Sequence, residues 1–283
     1  MIDLGPAILR NWGFSDSMKI LFIGDIVGRP GRKAVSRLLP HLRENCGPFS
    51  FVVVNGENAA GGKGLTKPIV DELLERGVDA ITTGNHVWGQ REVLTFIDEM
   101  PNIVRPANYP KGTPGKGCTI VSNASGERLG VINVAGQVYM EGFNNPFHTL
   151  DEVLHEMREG ADCMLLDFHA EATAEKVAMG WYADGKVGAV VGTHTHVQTA
   201  DERLLPNGTA YITDVGMTGP YDSVIGVCKE RVLHRFLTML PTRHEVAKED
   251  VILCAVVLHL DNRTGKALSI RRLRFPLTEE EDN

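Results

Sequence analysis

The chain has 283 residues, 43% of them hydrophobic and 23% charged, with a formal net charge of −7. This is the composition of a soluble globular protein with a sizeable core, in one large domain or two small ones. The negative balance argues against a protein that coats nucleic acid or anionic membrane, although bound cations can reverse the local field for a small anionic substrate.

Five cysteines (Cys46, Cys118, Cys163, Cys228 and Cys254) are scattered, odd in number and without a C-x-x-C pair. That pattern favours a reducing compartment over a disulfide framework. No apolar run is long enough to span a bilayer, and the residues before Met18 lack a basic region followed by a continuous apolar one. The cytoplasm is the expected compartment, with no membrane partner.

Residues 1–17 show no clear period, and Met18-Lys19-Ile20 runs directly into a strand, so 1–17 reads as an N-terminal extension before a single domain over 18–283. Ile20–Ile23 is the first strand, ended by Gly24-Asp25, and Pro30 suits the first turn of a helix to about Asn45. Phe51–Val54 is a second strand, closed by Asn55-Gly56-Glu57-Asn58, with a Gly-rich loop over 59–64 and a helix from about Lys67 to Arg76. Ala80–Thr83 leads to Gly84-Asn85-His86, and Val87 to Met100 reads as a helix stopped by Pro101. Strands are expected at 118–122 and 129–134, then a helix N-capped by Thr149 and running to about Arg158. A strand over 163–168 delivers His169, and Glu171 to Trp181 is helical. The apolar run 187–191 delivers Gly192-Thr193-His194-Thr195-His196, and Ala210–Thr213 precedes Asp214. Strands near 251–260 and 266–275 close the chain. Repeated strand-loop-helix units argue for largely parallel sheets with crossover helices, here two sheets in one domain.

Asp25, Glu57, Asn58, Asn85, His86, His169, His194 and His196 each follow a short apolar run. Open α/β sheets bind ligands at the carboxyl ends of their strands, so these residues can converge there. On a loop just past a strand end, both imidazoles of the His194/His196 pair can turn toward one point. Read singly, Asp25 is as well explained as a helix N-cap, Asn85 as a turn residue and His169 as a structural histidine. Glu57 is harder to dismiss, since a carboxylate at a buried strand end needs a partner. The set offers oxygen and imidazole but no thiolate, which suits iron, manganese or zinc, and it has too many ligands for one ion. Two transition-metal ions are expected, bridged by a carboxylate and by a water that both make nucleophilic, an arrangement suited to phosphoryl chemistry.

In their order, Gly24-Asp25, Asn55-Gly56-Glu57-Asn58, Gly84-Asn85-His86, His169 and Gly192-Thr193-His194-Thr195-His196 resemble the calcineurin-like metallophosphoesterase superfamily. More closely the chain resembles the bacterial YmdB-like phosphodiesterases, sharing also the wording of 168–173 and 213–219. The resemblance implies a four-layer α/β sandwich, two mixed β-sheets flanked by helices. It implies Asp25 and His196 on one metal, Asn85, His169 and His194 on the other, Glu57 as the bridge and His86 as general acid. Val27 stands where the wider superfamily has a histidine ligand, and Asn58 is the substitute in the YmdB-like branch; the bridge is Glu57 rather than Asp. The activity implied is a dinuclear-metal phosphodiesterase, with iron or manganese before zinc. Its first-choice substrates are 2′,3′-cyclic nucleotides, followed by 3′,5′-cyclic nucleotides or RNA ends. The alternatives are a regulatory metal- or nucleotide-binding protein and a phosphomonoesterase. A homo-oligomer is expected.

Other signals carry less. Gly61-Gly62-Lys63-Gly64-Leu65-Thr66 fails as a P-loop, because Gly64 stands where Ser or Thr must follow the lysine. A mobile loop with Lys63 near the phosphate is expected instead. No G-x-S-x-G occurs, so a serine hydrolase has no support. His41, His155, His234, His244 and His259 receive no role, and His148 only a minor one near substrate. Arg271, Arg272 and Arg274 read as a solvated strand face, with RNA contact the weaker reading.

Overall fold

The structure, a computed structural model, describes residues 16–157 and 159–278. All but the last two residues of the expected 1–17 extension, and Arg158 at the expected end of one helix, lie outside them. In chain order the elements are β1 (Ser17–Ile23), α1 (Gly28–Cys46), β2 (Phe51–Asn55), α2 (Lys67–Glu75), β3 (Ala80–Thr82), three short 3₁₀ turns, β4 (Ile103–Val104), β5 (Cys118–Ser122) and β6 (Arg128–Ala135). They continue with α3 (Pro146–Met157), β7 (Cys163–His169), α4 (Thr173–Ala183), β8 (Ala189–Thr193), β9 (Arg203–Leu204), β10 (Ala210–Ile212), β11 (Gly219–Pro220), α5 (Lys229–Thr238), β12 (Val251–Asp261) and β13 (Ala267–Pro276).

Two mixed sheets result. The first has seven strands in the order β11-β12-β1-β2-β3-β4, with β13 also paired to β12; β1 to β4 are parallel, and β12 is antiparallel to β1. The second has six strands in the order β5-β6-β7-β8-β10-β9, with the four from β6 to β10 parallel. Alternation along the strands explains why the sheets stack. Met18, Ile20 and Phe22 of β1 face one cluster with Leu165 of β7 and Val191 of β8, so that cluster fills the space between sheets. Leu21 and Ile23 point the other way, into a cluster with Val35, Leu38 and Leu42 of α1. Leu166 and Phe168 of β7 likewise turn outward, to Leu150 of α3 and Met179 of α4. The layers are helix, sheet, sheet, helix, as the resemblance implied.

Two sequence expectations are corrected, and four short elements are added to those read from the sequence. Residues 87–100 are not one helix but the turns Val87–Gly89, Arg91–Thr95 and Ile97–Glu99. Gln90 adopts extended geometry, and its side-chain amide donates to Ala60 O (3.3 Å) and Lys63 O (3.0 Å), so the 59–64 loop interrupts the helix. The same loop is tied by backbone bonds from Ala60 N to Gly64 O and from Gly62 N to Asn58 O. Thr149 does not cap α3. The helix begins earlier, at Pro146, and Asn145 Oδ1 accepts from the amides of Phe147 and His148. Finally, α5 and the two-residue strands β4, β9 and β11 were not expected.

Candidate metal centre

Parallel strands put their carboxyl ends on one rim, and the candidate residues gather there. Asp25 follows β1, Glu57 and Asn58 follow β2, and Asn85 and His86 follow β3, all from the first sheet. His169 ends β7, while His194 and His196 follow β8, all from the second sheet. The site therefore straddles both sheets. The strand β8 runs two residues further than expected, to Thr193, after which His194 and His196 adopt φ of +98° and +65°. Left-handed backbone at two non-glycine residues is costly and marks a constrained loop. It lets both rings face inward.

Around His169 Nε2 three other ligand atoms converge. Asn85 Oδ1 and His194 Nδ1 lie 3.1 Å away, and Glu57 Oε2 lies 3.2 Å away. Glu57, His169 and His194 form a group whose ligand atoms all lie within 4.8 Å of one another. A second group stands beside it. His196 Nε2 lies 3.2 Å from Asn58 Oδ1 and 4.0 Å from Asp25 Oδ1. Asp25 also accepts the His194 amide, at 3.3 Å to each oxygen.

Hydrogen bonds on the far side of each ring fix which nitrogen carries the proton. Thr193 Oγ1 donates to Asp167 Oδ1 (2.6 Å) and so accepts from His169 Nδ1 (2.9 Å). His196 Nδ1 donates to the Ile225 carbonyl (2.9 Å), and His194 Nε2 pairs with Glu171 (3.1 Å). In neutral rings the inward nitrogens are then lone pairs. Two lone pairs 3.1 Å apart on His169 and His194, and a lone pair facing the Asn58 carbonyl oxygen, need a proton or a cation between them. Glu57 Oε1 is buried without a hydrogen-bond partner, although the His86 ring is close. Ligands about 2.1 Å from one ion sit about 3.0–3.4 Å apart, the spacing found here. The residues fit a bound metal, and backing of each ligand ring by a hydrogen-bond acceptor is the usual support for one.

The electrostatics agree. Burial works against charge on Glu57, but His169 and His86 outweigh it and hold the carboxyl well below its usual range. Burial likewise opposes charge on His169, yet Glu57 first and then Asp25 and Asp167 push it up to about 9. Burial, and then His169, push His194 down to about 3. Burial raises Asp25 to about 6, against His196 and His169. Gly84 is needed for space, since a Cβ there would lie 2.2 Å from both Glu57 Oε2 and His169 Nε2.

His86 sits on the other side of Glu57 from this group. Its Nδ1 is 3.1 Å from Asn58 Nδ2 and 3.2 Å from Glu57 Oε1, and its backbone amide donates to Glu57 Oε2 (3.2 Å). Asn58 Nδ2 also donates to Gly62 O. An open cleft of about 350 Å³ leads in, lined by Glu57, Asn58, His86, His194, His196 and His244 among others. Gly62 lines this cleft, and Lys63 does not.

Several contributors are not singled out by the sequence. Asp167, buried, holds Thr82, Thr193 and Asn55 behind His169. Its sequence signal is an acid inside the apolar run of β7. Lys176 of α4 reaches Thr193 O (2.7 Å) and Asp214, which in turn accepts the amide and hydroxyl of Thr195 between the two histidines. Nothing in a helical lysine announces this. His244, which has no role in the sequence reading, stands in the cleft wall.

Known proteins are similar to this chain along nearly its whole length. Residues 21–273 match the model of the family described as YmdB-like protein. The chain is 53% identical over 256 residues to a Bacillus subtilis protein named 2′,3′-cyclic-nucleotide 2′-phosphodiesterase, covering 90% of this chain and 96% of that one. It is similar to a solved structure of a hypothetical protein from Thermus thermophilus, at 44% identity and TM-score 0.85 over 92% of this chain and 99% of that one. A structure described as a novel phosphatase from Mycoplasma pneumoniae superposes with TM-score 0.86 at 35% identity, over 93% and 95% of the two chains. With the family model spanning nearly all the described residues, and relatives this similar along their whole length, the chain belongs to the YmdB-like protein family.

Proposed function

We propose that the protein is a metal-dependent phosphodiesterase that opens 2′,3′-cyclic nucleotides. The observation that carries this reading is the convergence of Glu57, Asn85, His169 and His194, with the His86 ring 3.2 Å from the buried Glu57 Oε1. The substrate comes from the name of the Bacillus subtilis relative. Two ions, iron or manganese before zinc, would be held by Asp25, Asn58 and His196 on one side and Asn85, His169 and His194 on the other, with Glu57 between them. Bound there, they would supply positive charge for the phosphoryl oxygens and lower the pKa of a water.

The chain's own residues supply the rest. With Glu57 Oε1 turned to a bound cation, His86 Nδ1 would accept from Asn58 Nδ2 and the ring would carry its proton on Nε2. Water gives up a proton to solvent and adds to phosphorus, the bond to the ribose 2′ oxygen breaks, and His86 Nε2–H protonates the departing oxygen, leaving a 3′-phosphate and an imidazole that takes a proton back from solvent. Thr193 and the Ile225 carbonyl keep His169 and His196 in the tautomers that face inward. A regulatory protein that only binds would not need a proton donor beside the ligand cluster.

The test is a panel of 2′,3′-cyclic nucleotides, 3′,5′-cyclic nucleotides and nucleoside monophosphates, given to manganese-loaded protein. Highest kcat/KM is expected on the 2′,3′-cyclic group. A preference for monoesters would make the protein a phosphomonoesterase, in keeping with the description of the Mycoplasma pneumoniae structure as a phosphatase.

A further inference from the structure

The proposed ligands line only part of the cleft. Val27, Gly62, Ile225, Gly226, Val227 and His244 form a sector in which no group is assigned to the ions. The sector is one continuous wall. A Cβ on Gly226 would lie 2.8 Å from Val27 Cγ1, and one on Gly62 would lie 3.0 Å from both His244 Cε1 and Val246 Cγ2. Val246 pairs in turn with Val227. Bonds from Cys228 N to Glu245 O (2.9 Å) and from Ala247 N to Gly226 O (3.0 Å) hold the wall in place. Ile225, whose carbonyl orients His196, ties it to the centre. At the mouth the Ile225 side chain is 52% exposed, and His244 is exposed as well. An accessible aliphatic group and one polar ring on the wall of a cleft of about 350 Å³ are the materials of a small-molecule subsite.

We infer that His244, together with Ile225, receives the nucleobase of the substrate and is a specificity-determining residue of the reaction proposed above, on which the inference rests. The course of the substrate through the cleft carries it. Phosphate takes the ligand side and His86 meets the departing ribose oxygen, so the nucleoside must extend from His86 away from the ligands. Two lining residues outside both groups are already engaged on the His194 side: Glu171 pairs with His194 Nε2, and the Thr195 hydroxyl donates to Asp214. The free wall is the one that holds His244. Burial first, then Lys63, His86 and His196, lower the His244 pKa, which favours an uncharged ring. Such a ring is a poor partner for phosphate and a good one for the flat face of a base, which stacks on histidine as on other aromatic side chains.

The contact has a kinetic signature. A base resting on the wall is held equally before and during the reaction, since the bond that breaks is on the far side of the ribose. Uniform binding of this kind lowers KM and leaves kcat alone.

Calorimetry on the manganese-loaded full chain tests this with two probes, adenosine 3′-phosphate and inorganic phosphate. His244→Ala should weaken the nucleotide at least about tenfold and leave phosphate unchanged, with metal content and thermal midpoint as in the parent. His244→Phe, which keeps a flat ring, should hold the nucleotide within about threefold of the parent. In turnover of 2′,3′-cyclic AMP, His244→Ala should raise KM by the same factor and keep kcat, whereas methyl riboside 2′,3′-cyclic phosphate, which has no base, should be opened as by the parent. Equal weakening of both probes would make His244 a phosphate contact and overturn the inference. So would an unchanged nucleotide affinity in His244→Ala, or a parent that binds the nucleotide no tighter than phosphate. A parent that fails to open 2′,3′-cyclic nucleotides would instead refute the substrate reading, and the two binding probes would still decide the role of His244.

Discussion

Lys176 Nζ lies 2.5 Å from Asp214 Oδ2, and both side chains are almost wholly buried. The pair spans α4 and the loop after β10, and through Thr193 O and Thr195 it clamps both ends of the turn that carries the two histidines. Removing one partner of a buried ion pair strands the other charge, at a cost of about 3–5 kcal/mol. Lys176→Met should show that loss in denaturant unfolding, along with weaker metal retention. Lys176→Met with Asp214→Asn should recover much of the stability and less of the metal. Equal stability of Lys176→Met and parent would remove the clamp.

His86 touches Asn58 and Glu57, through Nδ1 and its backbone amide, on the side of Glu57 away from His169 and His194. His86→Ala should keep its metals, whereas His194→Ala should lose one. General acid catalysis contributes ~10²–10⁴-fold, so kcat/KM on a ribose leaving group should fall by about that factor. An ester with an acidic phenol as leaving group should fall much less. Equal losses at full metal occupancy would make His86 a phosphate-positioning residue.

Metal content gives a direct count. Protein purified without chelator should contain close to two ions per chain by elemental analysis, chiefly iron or manganese. Chelation should abolish turnover and added manganese restore it. Metal-free protein with undiminished activity would end the dinuclear proposal.

Gly84→Ala introduces a single methyl where the Glu57 and His169 ligand atoms meet. The intrusion should weaken metal binding at least about as much as loss of a supporting hydrogen bond, ~10–100-fold. Titration of the chelated protein with manganese measures it. Unchanged affinity would mean that the metal is held elsewhere.

We propose that the domain begins with β1. Ser17 pairs with Asp261, and Asn262 N donates to Asp16 O, while no candidate ligand precedes Asp25. A chain starting at Met18 should fold and turn over like the full chain, with a lower midpoint by no more than a few degrees. Insolubility, or loss of most activity in a folded chain, would extend the domain upstream.

Much of the candidate site is legible in the sequence because parallel strands place every strand end on one rim. A run such as Phe51–Val54 followed by Glu57 states both the strand and the residue at its carboxyl end. Local pattern fails where tertiary contacts decide the outcome. Residues 87–100 carry a helical period, but Gln90 bonds to the 59–64 loop and breaks it. For Lys176, a helix surface position and a buried clamp look alike in sequence, since only the fold brings Asp214 to it. His244 escapes a sequence reading for the same reason.

Because the proposed ligands come from both sheets, a cation held by Glu57 and Asn85 together with His169 and His194 would act as a cross-link between two layers that are joined besides by apolar packing and by the bonds of Asp167 to Asn55 and Thr82. Each tenfold rise in free metal above its dissociation constant would add about 1.4 kcal/mol to the folded state, so the protein's lifetime would follow metal supply. Starved of metal, it should open first along the rim where β2 and β7 end, and the far edges at β4 and β5 should stay closed longer. Abundance and activity would then fall together, and a cell short of metal would lose the enzyme as well as its turnover.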